Sequence, residues 1–274
     1  MKQGQFPAIL PLASLNGKNG FKLDGEAAID FSGWPVSAAG DINGDGVSDL
    51  LIGAHGHASG TGRSYVVFGG PEVGISGLIA LSGLNGSTGF KLDGESGGNS
   101  GLSVSTAGDI NADGVSDILI GAPWYASQKG RSYVVFGGSG VGGSGLVTLS
   151  ALNGSNGFKL DGEATNDHSG YSVSTAGDIN GDGVSDLLIG APGYASQKGR
   201  SYVVFGGQGV GSAGLIALSG LTGSNGFKLD GELANDYSGF PVSAAGDVNG
   251  DGISDLLVGA PYRANYTGRS YVVF

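Results

Sequence analysis

Four stretches decide the reading of this chain: DINGDGVSDLLIGA at 41–54, DINADGVSDILIGA at 109–122, DINGDGVSDLLIGA at 178–191 and DVNGDGISDLLVGA at 247–260. Each joins an acidic, glycine-bearing turn to a run of apolar residues. Two further segments keep the same period. GFKLDGE places its aromatic at Phe21, Phe90, Phe158 and Phe227, and GRSYVVF places its basic residue at Arg63, Arg131, Arg200 and Arg269. The spacing is 68 or 69 residues throughout. Self-similarity at a fixed period is the signature of a repeat architecture. No helical periodicity runs through the repeat. Short β-rich runs bounded by Gly, Asn and Asp read instead as strands.

Each repeat offers four strands, A (35–40 in the first copy), B (49–54), C (64–68) and D (89–95). Consecutive apolar positions such as LLIG fit sheets covered on both faces. Tandem four-stranded units without helices indicate an all-β propeller of four-stranded antiparallel blades, four per chain. The repeats run at about 27–95, 96–163, 164–232 and 233–274, with an N-terminal strand in 1–26, and together form one domain. The chain opens on a D strand and closes on a C strand. The N-terminal D strand is therefore expected to complete the last blade. It does so either within one chain, as a four-bladed ring, or between two chains, as a homodimer with an eight-bladed ring. The phase of the two ends suggests an array cut by design from a longer one, and MKQGQFPAIL lacks the features of a signal peptide.

Composition narrows the function. The 274 residues carry a net charge of −11, which argues against a nucleic-acid partner. There is no cysteine, so neither disulfides nor thiol chemistry are available. No apolar run is long enough to span a membrane as a helix. Nothing outside the acidic turns pairs a nucleophile with a base, so a binding module is expected in place of an enzyme.

The acidic turns read D-x-N-x-D-G-x-S-D. Oxygen side chains at positions 1, 3 and 5 with Gly at 6 match the first half of an EF-hand calcium loop. Gly permits the sharp turn, and position 7 can offer its carbonyl. The expected calcium ligands are Asp41, Asn43, Asp45, Val47 and Asp49 in the first loop, and Asp109, Asn111, Asp113, Val115 and Asp117 in the second. They are Asp178, Asn180, Asp182, Val184 and Asp186 in the third, and Asp247, Asn249, Asp251, Ile253 and Asp255 in the fourth. The set is all hard oxygen, which favours Ca2+ over zinc or copper, with four sites per chain. The alternative is a plain Asx-turn without an ion. The four loops hold 12 of the 24 acidic residues, a concentration that plain turns do not need. Position 4 is Gly44, Gly181 and Gly250 but Ala112 in the second loop, so a positive φ there would strain that site.

These loops, the S-G-(W/L/Y/F)-x-V-S segments and the G-A-P of Gly121–Pro123, Gly190–Pro192 and Gly259–Pro261 resemble the FG-GAP repeat family, known from the integrin α-subunit propeller and bacterial surface proteins. The first copy departs at Gly53-Ala54-His55. The resemblance covers essentially the whole chain. It implies calcium in the A–B loops and an extracellular or cell-surface protein used for adhesion, protein binding or scaffolding. A likeness to fungal sugar-binding propellers makes a lectin the alternative.

In an antiparallel meander the A–B and C–D loops share one end, and the B–C and D–A loops share the other. On that second, metal-free face the copies differ most, and it is the place expected to hold a protein ligand or a glycan. The candidate contacts there are His57, Trp124, Tyr125, Tyr194, Tyr262 and Arg263. Trp34, Leu102, Tyr171 and Phe240 occupy one repeated position and are expected in the core between blades.

Overall fold

The computed structural model describes residues 7–274. Strand β1 (Lys22–Asp24) comes first. The first repeat gives β2 (Val36–Gly40), β3 (Asp49–Ala54), β4 (Arg63–Val67), β5 (Leu78–Ala80) and β6 (Gly89–Asp93). The second gives β7 (Ser103–Gly108), β8 (Asp117–Ala122), β9 (Arg131–Val135), β10 (Leu146–Thr148) and β11 (Gly157–Asp161). The third gives β12 (Ser172–Gly177), β13 (Asp186–Ala191), β14 (Arg200–Val204), β15 (Leu215–Ala217) and β16 (Gly226–Asp230). The fourth gives β17 (Val242–Gly246), β18 (Asp255–Ala260) and β19 (Arg269–Val273). The protein is all-β with four repeats, a propeller-like arrangement.

Within each of the first three repeats the A, B, C and D strands pair in order as an antiparallel meander, and the fourth pairs A, B and C in the same way. A bulge interrupts A–B pairing at the same place in every copy, for instance between Thr106 and Gly108. Gly108 sits there at φ 68°, and a side chain on it would strike Ser185 of the following sheet at 2.2 Å. The bulge glycine thus serves both the turn and the close approach of neighbouring sheets.

The sheets stack face on face. Leu51, Val66, Phe90 and Leu92 of the first repeat pack against Ile118, Ile120, Tyr133 and Val135 of the second. The same contact joins the second to the third through Leu119, Val134, Phe158 and Leu160. Leu188 and Val203 then meet Leu256 and Val258. Every residue of β8 is buried, which is why its sequence is apolar without alternation.

The repeated arginine ties sheet to sheet. Arg131 Nε donates to Asp161 of its own sheet at 2.6 Å, and its Nη1 donates at 2.7 Å to Glu95, which follows the preceding sheet's D strand. Arg63 and Arg200 repeat the arrangement with Asp93 and Glu26, and with Asp230 and Glu163.

Two features differ from expectation. Short strands β5, β10 and β15 pair in parallel with β1, β6 and β11, so each of these D strands gains a neighbour from the following repeat, and β10 and β15 become fifth strands of their sheets. The N-terminal strand does not complete the last sheet of its own chain. β1 pairs with β5, Lys22 opposite Leu78, and the fourth repeat stands as β17-β18-β19 alone. Local contacts hold it there: Glu26 meets Arg63 at 2.9 Å and Lys91 at 3.3 Å, and Leu23 packs on the cluster of Ile52 and Tyr65.

Breaking a buried ion pair leaves an uncompensated charge and is strongly destabilising. Arg131→Ala is therefore expected to lower unfolding stability by about 3 kcal/mol, and Arg269→Ala, whose side chain is half exposed, by far less. Denaturant titration of the two variants checks the ranking; equal midpoints would refute it.

Candidate functional site

The acidic loops form where strands A and B turn, and side chains replace the missing ladder bonds. In the first loop Asp41 Oδ1 accepts from the amides of Gly44 and Asp45, and its Oδ2 from Gly46. Asn43 Oδ1 accepts from the Asp45 amide, and Asp45 Oδ1 from Val47. Asn43 also donates to Asp45 Oδ2 at 3.0 Å. The fourth loop repeats this network around Asp247, Asn249 and Asp251, and Asp109, Asn111 and Asp113 with Asp178, Asn180 and Asp182 share all of it but the position-4 amide bond. One tight turn therefore gathers two carboxylates and an amide oxygen, each still with acceptor capacity.

The ninth residue sits differently. Asp49 is fully buried; its Oδ2 accepts from Ile42 and its Oδ1 from Gly69 in the C–D connection. Asp117 does the same with Ile110 and Gly137, and Asp186 with Ile179 and Gly206. These residues staple the A–B loop to the C–D connection, which puts both on one end of the sheets. Burial pushes Asp117 up to about 7 and Asp186 up to about 6, despite the two amides. Among the described residues no three acidic or imidazole groups converge closely enough, as they stand, to enclose a metal. In donor chemistry the loop fits a hard cation: Asp41, Asn43, Asp45 and the Val47 carbonyl supply only oxygen.

Position 4 of the loop is left-handed in every copy, with φ 75° at Gly44, 61° at Ala112, 73° at Gly181 and 79° at Gly250. A side chain at Gly44 would meet nothing closer than Val115 at 3.9 Å, so the penalty at Ala112 is conformational and not steric.

The opposite end carries the B–C and D–A loops, which lie against each other. The amides of Asn99 and Ser100 donate to Gly60 and Thr61. Each B–C loop contains a short left-handed turn, with Ala126, Ser127 and Gln128 at φ 50°, 58° and 65°. Such turns of non-glycine residues are costly and persist only when the surroundings hold them.

The six candidate contacts are dispersed. Tyr125 and Tyr194 lie under Arg131 and Arg200, whose guanidinium carbons sit 3.9 and 3.7 Å from the ring centres. His57 meets the buried Asp30 at 3.0 Å, and Arg263 is held by Glu232 and Asp236. Trp124 packs edge-on to His168, and Tyr262 against Tyr237. Of the six, Tyr262 alone lines the cavity of about 640 Å3 between the third and fourth repeats, together with Asn166, Asp167, His168, Tyr171, Gln197, Tyr237 and Phe240.

Tyr171 and Phe240 meet edge to face at 4.7 Å across two repeats, as expected for neighbouring blades. They are half buried at the cavity wall, and Leu102 is likewise half buried. Trp34, at the same repeated position, is mostly exposed. The expectation of a core position fails outright for Trp34, which no preceding sheet covers, and only in part for Tyr171 and Phe240, which meet each other but also wall the cavity.

The chain belongs to the FG-GAP repeat family, whose pattern matches residues 33–67, 100–135, 169–204 and 241–273. It is 32% identical to integrin alpha-PS2 of Drosophila melanogaster over 159 residues, covering 57% of this chain and 10% of that protein. It is 31% identical to integrin alpha-5 of Xenopus laevis over 181 residues, covering 62% of this chain and 16% of that protein. It is 32% identical to human phosphatidylinositol-glycan-specific phospholipase D over 257 residues, covering 85% of this chain and 26% of that protein. The chain thus spans at most about a quarter of the length of these relatives.

Ala112→Gly is expected to raise unfolding stability by about 1 kcal/mol, and Gly44→Ala to lower it similarly, because glycine reaches positive φ without strain. Metal-free denaturation curves check both signs; a destabilised Ala112→Gly protein would contradict the conformational account.

Proposed function

We propose that this chain is a calcium-binding β-propeller that works outside the cell as a protein-binding, adhesion or scaffolding module. The single observation that carries the reading is the fourfold turn that gathers Asp, Asn and Asp oxygens at one end of rigid sheets. Bound calcium would supply positive charge where carboxylates are crowded. Asp41, Asn43, Asp45 and Val47, with their counterparts Asp109, Asn111, Asp113 and Val115, Asp178, Asn180, Asp182 and Val184, and Asp247, Asn249, Asp251 and Ile253, would hold it. Asp49, Asp117, Asp186 and Asp255 complete the set we propose, and the first three also tie their loops to the C–D connection. Membership of the FG-GAP family and the likeness to integrin alpha subunits support adhesion and an extracellular place.

The working surface is the opposite end, where loops of varied sequence rest on sheets that differ little. Binding is the activity we assign to it. A second reading, a carbohydrate site, is favoured by one observation. The cavity between the third and fourth repeats combines Tyr171, Tyr237, Phe240 and Tyr262 with the polar side chains of Asn166 and Gln197. Aromatic walls beside amide groups suit a sugar's apolar face and hydroxyls. A glycan array separates this reading from protein binding.

Chelation tests the metal assignment. Calcium at 100 times its dissociation constant stabilises by about 2.7 kcal/mol per independent site. EDTA should lower the melting temperature markedly, and calcium should restore it better than magnesium. Calorimetric titration should place the second, Ala112-bearing site on the order of 10⁻⁴–10⁻³ M, the range of extracellular modules. An unchanged melting curve would overturn the metal assignment, and four equal nanomolar sites would contradict the expected affinity.

A further inference from the structure

Three of the four D–A loops bury an aspartate at one repeated position: Asp30, Asp167 and Asp236, each 4–5% exposed. The second repeat has Gly98 there. The residues at the matching position of the B–C loops are His57, Tyr125, Tyr194 and Arg263. Acid and base go together in two repeats. Asp30 lies 3.0 Å from His57 Nδ1, and Asp236 lies 3.3 Å from Arg263 Nε. The second repeat has neither group, with glycine matched to tyrosine. The third mixes the two patterns. It keeps the acid, Asp167, and puts Tyr194 where the base would stand.

The mismatch leaves Asp167 with unmet bonding. Its Oδ2 accepts from the Ala164 amide at 2.9 Å, and its Oδ1 has no hydrogen-bond partner among the described residues. Tyr194 lies under Arg200, and Arg200 is itself committed to Glu163 and Asp230. Burial pushes the pKa of Asp167 upward, and the charge of Glu163 adds to the push. Asp167 also lines the cavity of about 640 Å3 between the third and fourth repeats. Among the described residues no lysine or arginine lines that cavity. Gly193 helps to open it, since the second repeat has Trp124 at the matching position. A buried carboxylate with a free oxygen thus faces an aromatic-walled space of a volume usual for a small ligand.

We propose that this cavity takes a sugar bearing a free amine, such as a glucosamine dimer. The ammonium bonds Asp167 Oδ1 and fills the role that His57 and Arg263 fill in the first and fourth repeats. The apolar face of the sugar ring lies against the wall of Tyr171, Tyr237, Phe240 and Tyr262, and its hydroxyls meet Asn166 and Gln197. A charge-assisted bond to a desolvated carboxylate is stronger than a neutral one, so the amine decides the preference. A sugar acid meets the same carboxylate with like charge and is rejected. The inference rests on the carbohydrate reading of the cavity and adds to it the charge of the sugar.

Calorimetric titration of the whole chain tests this at slightly acidic pH, where a sugar amine carries its proton. The glucosamine dimer should bind about tenfold tighter than its N-acetylated form and than cellobiose, which has a hydroxyl in place of the amine. Asp167→Asn keeps an oxygen for the Ala164 amide and should erase that difference. Tyr194→Arg, which rebuilds the pairing of the fourth repeat, should erase it too, and it serves where Asp167→Asn fails to fold. Equal binding of all these sugars, or a preference that survives both variants, would overturn the proposal and leave the carbohydrate reading standing. No binding of any sugar would remove that reading and the proposal with it. A simple alkylamine or a lysine-bearing peptide bound as tightly as the dimer would mark a cation site without sugar recognition and overturn the proposal.

Discussion

Each sheet in this chain is apolar on both faces, so it needs a neighbour on each side. Residues such as Leu51 and Phe90 look forward to the next sheet, while Ile120 and Tyr133 look back. Burying each such side chain contributes roughly 1.5–3 kcal/mol, and a sheet covered on one face alone forfeits about half of the total. This constraint explains why the sequence repeats so closely. A change on one face must suit the opposing face, and that contact recurs along the array. It also explains the arginine, which bonds an aspartate of its own sheet and a glutamate of the sheet before.

The loops depend on that stack. Asp49, Asp117 and Asp186 are buried at the root of the acidic turns and fix each turn to the neighbouring connection through two amides. The rest of the turn can then hold carboxylates close together without collapsing or splaying. At the far end the left-handed B–C turns are strained, and they are braced by tyrosines stacked on the bridging arginines and by backbone bonds to the D–A loop. Strain and clustered charge are placed on loops, and the apolar stack sustains both.

Much of this was legible in the sequence. The period gave the four repeats, the apolar runs gave strands A to D, and Gly44, Gly181 and Gly250 against Ala112 raised the question of a left-handed position 4 that the structure answers. What escaped was short or relational. β5, β10 and β15 are three residues each, and LIA or LVT between glycines has no distinctive pattern at that length. The period places β1 as a D strand but cannot say which sheet it joins; Glu26, Arg63 and Lys91 decide that. Tyr125 and Tyr194 looked like ligand contacts because they lie in variable loops. Their identical setting, YASQKGR, ends on the arginine they stack against, and that signal was available. Trp34 and Tyr171 share a repeated position, yet one faces solvent and the other a cavity wall, a difference only neighbouring sheets can create.

Amide hydrogen exchange along the array tests the dependence on covered faces most directly. Strands β8, β9, β13 and β14, enclosed by sheets on both sides, should exchange slowest at every protein concentration. β18 and β19, which carry exposed Leu257 and Val272, should exchange faster than β13 and β14. Protection of β18 and β19 equal to that of the inner strands would contradict the account.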